Sequence, residues 1–89
     1  TKIKGMFVRP EQVAALVARH EEVVKARVIA SRSGEMDVMT VRIESAGGDA
    51  DAYGASVAEV LKLKGKVEVV APGTLPKDGL VIEDQRTYD

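Results

Sequence analysis

Apolar and polar residues change their spacing several times along this chain, and each change marks an element. Residues 1–8, "TKIKGMFV", alternate weakly, with Ile3 and Phe7 on one face and Lys2 and Lys4 on the other. This predicts a short strand in which Gly5 permits a bend or a close backbone approach. Pro10 suits a first helical position, and Glu11 suits the positive end of the helix dipole. Val13, Leu16, Val17 and His20 recur at i, i+3, i+4 and i+7, the apolar stripe of a helix over residues 10–19.

In "EVVKARVIAS", Val24, Ala26, Val28 and Ala30 alternate with Val23, Lys25, Arg27 and Ile29, which is the period of a strand. "SRSGEMD" reads as a turn around Gly34. "DVMTVRIES" then puts Met39, Val41 and Ile43 on one face, so the two strands predict a hairpin. After "AGGDAD", Asp49 or Asp51 can cap a second helix whose stripe is Tyr53, Val57, Val60 and Leu61. Lys62 and Lys64 suit its negative end, and Gly65 stops it. "KVEVVA" is a last strand with Val67, Val69 and Ala71 inward. The order β-α-β-β-α-β predicts an α+β domain of the ferredoxin-like, split-βαβ kind. Its sheet would be antiparallel, with two helices on one face and the first and third strands central. From Pro72 onward, "PGTLPKDGLVIEDQRTYD" is surplus to that plan and reads as an extended C-terminal arm.

Composition narrows the possible functions. The chain has 89 residues, enough for one small domain over 1–89 with a thin core. Its 45% hydrophobic content includes only Phe7, Tyr53 and Tyr88 as aromatics, so the core is aliphatic and base-stacking platforms are scarce. Thirteen basic and 14 acidic residues give a net charge of -1, which offers no field for nucleic acid or an anionic membrane. The absence of Cys removes disulfides, thiolate metal sites and a Cys nucleophile. No apolar run approaches ~18 residues and no signal peptide is visible, so a cytoplasmic location is expected.

The polar residues do not assemble an obvious active site. His20 is the only His, too few for a metal cluster or a His-based triad, and reads as a helix-end residue. Asp49 and Asp51 read as caps rather than a cation site. Gly47-Gly48 lacks the spacing and the Lys-Ser/Thr pair of a phosphate loop. "KLKGK" reads as a solvated helix end, and Met6, Met36 and Met39 read as packing residues. Pattern alone leaves three readings open: a small-ligand regulatory domain, an interaction module, or one domain of a larger enzyme.

Three stretches carry a resemblance. "TKIKGMFVRPEQVAALV" resembles the motif that follows the interdomain hinge of adenylate-forming enzymes, with Lys2, Gly5, Val8, Pro10 and Val13 in the matching places. "GEMDVMTVRIE" and "VEVVAPGTLPKDGLVIEDQRTYD" resemble the C-terminal end of phenylacetate-coenzyme A ligases. The resemblance spans nearly the whole chain. It implies the small C-terminal domain of a ligase whose large N-terminal domain is its partner. Such an enzyme uses ATP and Mg²⁺ to adenylate an aryl acid such as phenylacetate, then transfers the acyl group to coenzyme A. The small domain rotates between the two half-reactions. The resemblance also implies that the isolated chain is inactive. It leaves open whether the enzyme is an oligomer.

The same resemblance implies two site regions. Lys4, Gly5 and Met6 would face the coenzyme A tunnel in the thioester-forming pose. The tail loop at Gly79 would carry the adenylating residue, a Lys in the family, whose ammonium stabilises charge on phosphate and carboxylate oxygens. Here that place holds Leu80. Either the enzyme is slow or inactive in adenylation, or Lys77 substitutes, or the enzyme keeps transfer activity and uses another Lys such as Lys66. The alternative from another class is an ACT-like sensing domain, in which Gly5 or Gly34 would line an amino-acid site between paired protomers.

Overall fold

The computed structural model describes residues 2–3, 5–75 and 79–86. Its elements are β1 (Lys2–Ile3), β2 (Met6–Phe7), α1 (Pro10–Ala18), β3 (Val23–Ser33), β4 (Met36–Ser45), α2 (Ala50–Leu61), β5 (Lys66–Val70) and β6 (Ile82–Asp84). The main sheet has the order β5-β4-β3-β6, and α1 and α2 cover one face of it.

The α+β class and the two-helix layer agree with the sequence pattern, but the sheet is mixed rather than antiparallel. The hairpin of β3 and β4 is antiparallel and closes at Ser33↔Met36, with Gly34 at φ 63° in the turn. β5 runs parallel to β4, because α2 carries the chain back to start in the same direction. β6 runs parallel to β3, with Val28↔Ile82 and Ala30↔Asp84 in register.

The predicted first strand does not enter this sheet. Gly5, at φ 81°, reverses the chain after Ile3, and Ile3 pairs with Met6 in a separate two-stranded hairpin. The reversal splits the expected face. Ile3 is fully buried, whereas Phe7 is 61% exposed. The place beside β3 is filled by the tail strand β6 instead, so the arm is extended but incorporated into the sheet.

Smaller departures have local causes. A bulge between Val23 and Lys25 inserts one residue into β3. It turns Val23 into the core and leaves Val24 63% exposed, against the predicted alternation. Lys62, not Gly65, takes the left-handed conformation that ends α2, at φ 61°. Gly65 instead lets the chain pass close to β4, since a β-carbon there would lie 2.7 Å from Met39 Cε and 3.0 Å from Met39 O. β5 is an edge strand, so Val67 packs against the core but Val69 and Ala71 are exposed.

Met39, Val41 and Ile43 of β4 and Ala26, Val28 and Ala30 of β3 form the floor of the core. Val13 and Leu16 of α1 and Tyr53, Val57 and Leu61 of α2 close it from above. Asp49 caps α2 through Oδ1, which accepts from the Asp51 N–H at 2.9 Å. Gln12 Oε1 accepts from the Arg9 N–H at 2.8 Å where α1 begins. Ile29 and Leu75 are also buried but lie outside this cluster. Strand alternation puts Ile29 on the opposite sheet face from Val28.

Candidate functional site

The first candidate region is the β1–β2 turn. Ile3 and Val8, both fully buried, fasten the hairpin to the core, and β1, which carries Ile3, contacts β4. Gly5 and Met6 are exposed between them, and Phe7 follows. A β-carbon at Gly5 would meet nothing within 4 Å. The glycine is therefore required by its positive φ, and the backbone beside it is open to an approaching group. Lys4 lies outside the described residues.

The second region is the tail, which is tied down on both sides of its loop. Beyond β5 the chain turns at Pro72 and Gly73, with the Thr74 N–H donating to the Ala71 carbonyl at 3.1 Å and Gly73 at φ 88°. The Glu44 carboxylate then accepts two backbone N–H groups, Gly73 at 3.0 Å and Leu75 at 2.8 Å. Lys77 lies outside the described residues. Gly79, at φ 77°, and Leu80, 48% exposed, sit at the surface just before β6.

Past the loop the anchors resume. Val28 N–H donates to the Val81 carbonyl at 2.9 Å, and Gln85 N–H donates to the Ala30 carbonyl at 2.7 Å. Buried Arg27 pairs with Glu83 at 3.2 Å. The buried guanidinium of Arg86 forks onto Asp84, through Nε at 2.8 Å and Nη2 at 2.7 Å, and its Nη1 reaches Asp37 of β4 at 3.0 Å. Hydrogen bonding from Arg86 holds the Asp84 carboxyl at about 2, well below its ordinary 3.8.

Of the candidate lysines, only Lys66 lies among the described residues, and it does not approach Leu80. Lys66 heads β5, and its row across the sheet runs through Thr40 and Ile29 to Glu83. Three strand spacings, roughly 14 Å, separate it from the edge that carries Leu80. Lys66 instead borders a shallow cavity of about 340 Å³ with Met36, Met39 and Lys64. A second groove, about 310 Å³, runs between α1 and the start of β3 and is edged by Val81. Neither cavity is lined by Gly5, Met6, Gly79 or Leu80.

One polar cluster was not legible in the sequence. The buried Tyr53 hydroxyl donates to Glu22 at 2.6 Å and accepts from Ser45 Oγ at 2.9 Å. His20, just past α1, lies edge-on to the Tyr53 ring at 4.8 Å, and its Nε2 meets Ser56 Oγ at 2.8 Å. Burial, reinforced by the Glu22 bond, pushes the Tyr53 phenol up, and the bond from Tyr53 pulls Glu22 down. These groups satisfy one another where the core meets the surface at Glu22 and line neither cavity, which is a structural arrangement. Among the described residues, no three His, Asp or Glu side chains gather as a metal site. No helix among them is long and apolar enough to cross a membrane.

The chain matches no family model and no curated protein by sequence. Its fold has close counterparts. It superposes on a domain of phenylacetate-coenzyme A ligase from Bacteroides vulgatus with a TM-score of 0.87 and 19% identity, covering 100% of this chain and 94% of that one. It also superposes on 2-hydroxyisobutyryl-CoA ligase in complex with 2-HIB-AMP and CoA in the thioesterification state, at a TM-score of 0.81 and 23% identity. That match covers 96% of this chain but 21% of the ligase, so this chain spans about a fifth of the ligase's length. Against the same ligase in the postadenylation state the TM-score is 0.72 at 22% identity, with 94% and 21% covered. At these identities the likeness establishes the fold, which is that of a domain found in CoA ligases.

Proposed function

We propose that the chain works as the small C-terminal domain of a phenylacetate-coenzyme A ligase-like enzyme in the cytoplasm, joined to a large N-terminal domain. The observation that carries this reading is the superposition of the entire chain, tail included, on a coenzyme A ligase domain. The geometry adds support. Both candidate regions are exposed loops held by buried anchors, Ile3 and Val8 on one side and Glu44 and Arg86 on the other. Loops of that kind complete a site on another domain, and neither forms a pocket alone.

The two regions differ in how well they fit the groups the enzyme would use. The Gly5 turn offers open backbone beside the exposed Met6, which suits the thin, mostly apolar pantetheine arm of coenzyme A. The tail tip does not suit ATP, because Leu80 has no side-chain donor for a phosphate oxygen. Nor do the described residues gather carboxylates for Mg²⁺. ATP, Mg²⁺ and the aryl acid therefore belong to the large domain in this reading. The present chain contributes the thioester-forming face and is inactive alone.

The test is made in the full-length ligase. Leu80→Lys restores the donor, so phenylacetate-dependent exchange of pyrophosphate into ATP should rise by about tenfold or more. An unchanged exchange rate would remove residue 80 from the adenylating site.

A further inference from the structure

β5 is the longer of the two sheet edges, five residues against three in β6. One side of it bonds β4, and among the described residues no strand pairs with the other. An open edge presents alternate N–H and C=O groups outward, where another strand can take them. A Lys on such an edge ordinarily deters pairing. Here Lys66 is answered by Glu68, two residues on, exposed on the same sheet face and opposite in sign. On the other face, under α2, Val69 is 38% exposed. A β-carbon at Gly54 of α2 would lie 4.0 Å from Val67 Cγ2, and Ala58 follows one turn later. The flank of α2 beside the edge is small and apolar at these positions.

Charge decides which strand fits. Antiparallel neighbours set side chains of the same face opposite one another, so a second copy of β5 added about a two-fold axis has few registers. Centred on Lys66 or on Glu68, the axis sets that residue opposite itself, like charge against like. Centred on Val69, it sets Glu68 opposite Val70 and leaves Lys66 unanswered. Centred on Val67, it sets Lys66 of each copy opposite Glu68 of the other, two opposite-charge pairs by symmetry. Arg42 occupies Oε1 of Glu68 at 2.9 Å, and Oε2 remains for the incoming ammonium. We infer that the outer edge of β5 is a self-association site, taking β5 of a second copy in the register centred on Val67. The two sheets then continue as one, with α2 of each copy on the same side of the seam. The edge is short, so the contact falls among small, weak interfaces. The pairing is independent of the ligase reading.

The test uses the 89-residue chain. Sedimentation equilibrium should show monomer and dimer with a dissociation constant of about 1 mM or lower. Between about 0.05 and 1 mM, the amide NMR shifts of residues 66–70 should move with concentration. Those of Val28 and Gln85, bonded within the chain at the far edge, should stay fixed. Lys66→Glu and Glu68→Lys each set like charges opposite one another twice, and each should weaken the dimer about fivefold or more. Glu68→Lys also gives up the bond to Arg42, so the variant carrying both changes is the deciding one. It restores opposite charges across the seam and should recover most of the lost affinity, with circular dichroism confirming that each variant is folded. A chain still monomeric at 1 mM would overturn the site. A dimer indifferent to both single changes, or shifts that move elsewhere and not at 66–70, would remove the contact from β5. A folded double variant no better than the singles would overturn the register centred on Val67.

Discussion

Gly48 lies so close to Tyr53 that a β-carbon on the glycine would overlap the phenol hydroxyl and Cζ. Its neighbour Gly47 has nothing within 4 Å of the same position. The pair therefore separates space from sequence. Gly48→Ala must displace a fully buried ring that also bonds Glu22 and Ser45, and should cost about 2–3 kcal/mol in urea unfolding. Gly47→Ala should fall within about 0.5 kcal/mol of the parent. Equal effects at the two sites would refute the contact.

The phenol of Tyr53 should also titrate abnormally. Burial, then the bond to Glu22, raises its pKa above the ordinary 10.0. A group whose pKa is raised on folding supports the fold below its unfolded value and loses that support as pH climbs through the folded one. Stability should therefore decline above pH 10. In an ultraviolet titration, the component removed by Tyr53→Phe should lie above 10. A component at or below 10 would show that the ring is not enclosed.

Acid should test the tail latch in the opposite direction. Asp84 is held at about 2 against an ordinary 3.8. Its contribution is present above the unfolded value and is lost as pH falls from 3.8 through about 2. Carboxyl NMR should place the Asp84 midpoint near 2 and return it above 3 in Arg86→Gln, with faster exchange of the Gln85 amide. A midpoint near 3.8 in the parent would dissolve the fork.

Met6 separates stability from function. Met6 is 42% exposed on the β1–β2 turn, so Met6→Ala should shift unfolding by no more than about 1 kcal/mol. In the full-length ligase the same change should slow thioester formation severalfold and leave pyrophosphate exchange alone. The reverse pattern would move Met6 out of the thioester-forming face.

The sequence disclosed the helices and the β3–β4 hairpin because their patterns are local. A stripe such as Val13, Leu16 and Val17, or an alternation such as Met39, Val41 and Ile43, is set by the period of the element alone. Partner choice in the sheet is not local. Whether Thr1 to Val8 or the tail lies beside β3 depends on Gly5 adopting a positive φ and on backbone pairs such as Val28 with Val81. Neither is written in side-chain pattern. The same holds for the site. Gly5 and Gly79 stand out in the sequence as flexible points, but the positive φ each adopts shows only in the structure. No side-chain pattern marks Glu44, Arg27 or Arg86, whose contacts form only once the tail docks against the sheet.

The central claim is that this domain completes a thioester-forming site on a larger ligase. The direct measurement supplies preformed phenylacetyl-adenylate and coenzyme A to the full-length protein and to a version ending just before Thr1, and follows thioester release. The account predicts rapid release with the domain present and a loss of about a hundredfold or more without it, the scale of removing positioning groups from a reacting pair. Equal rates in the two proteins would contradict it.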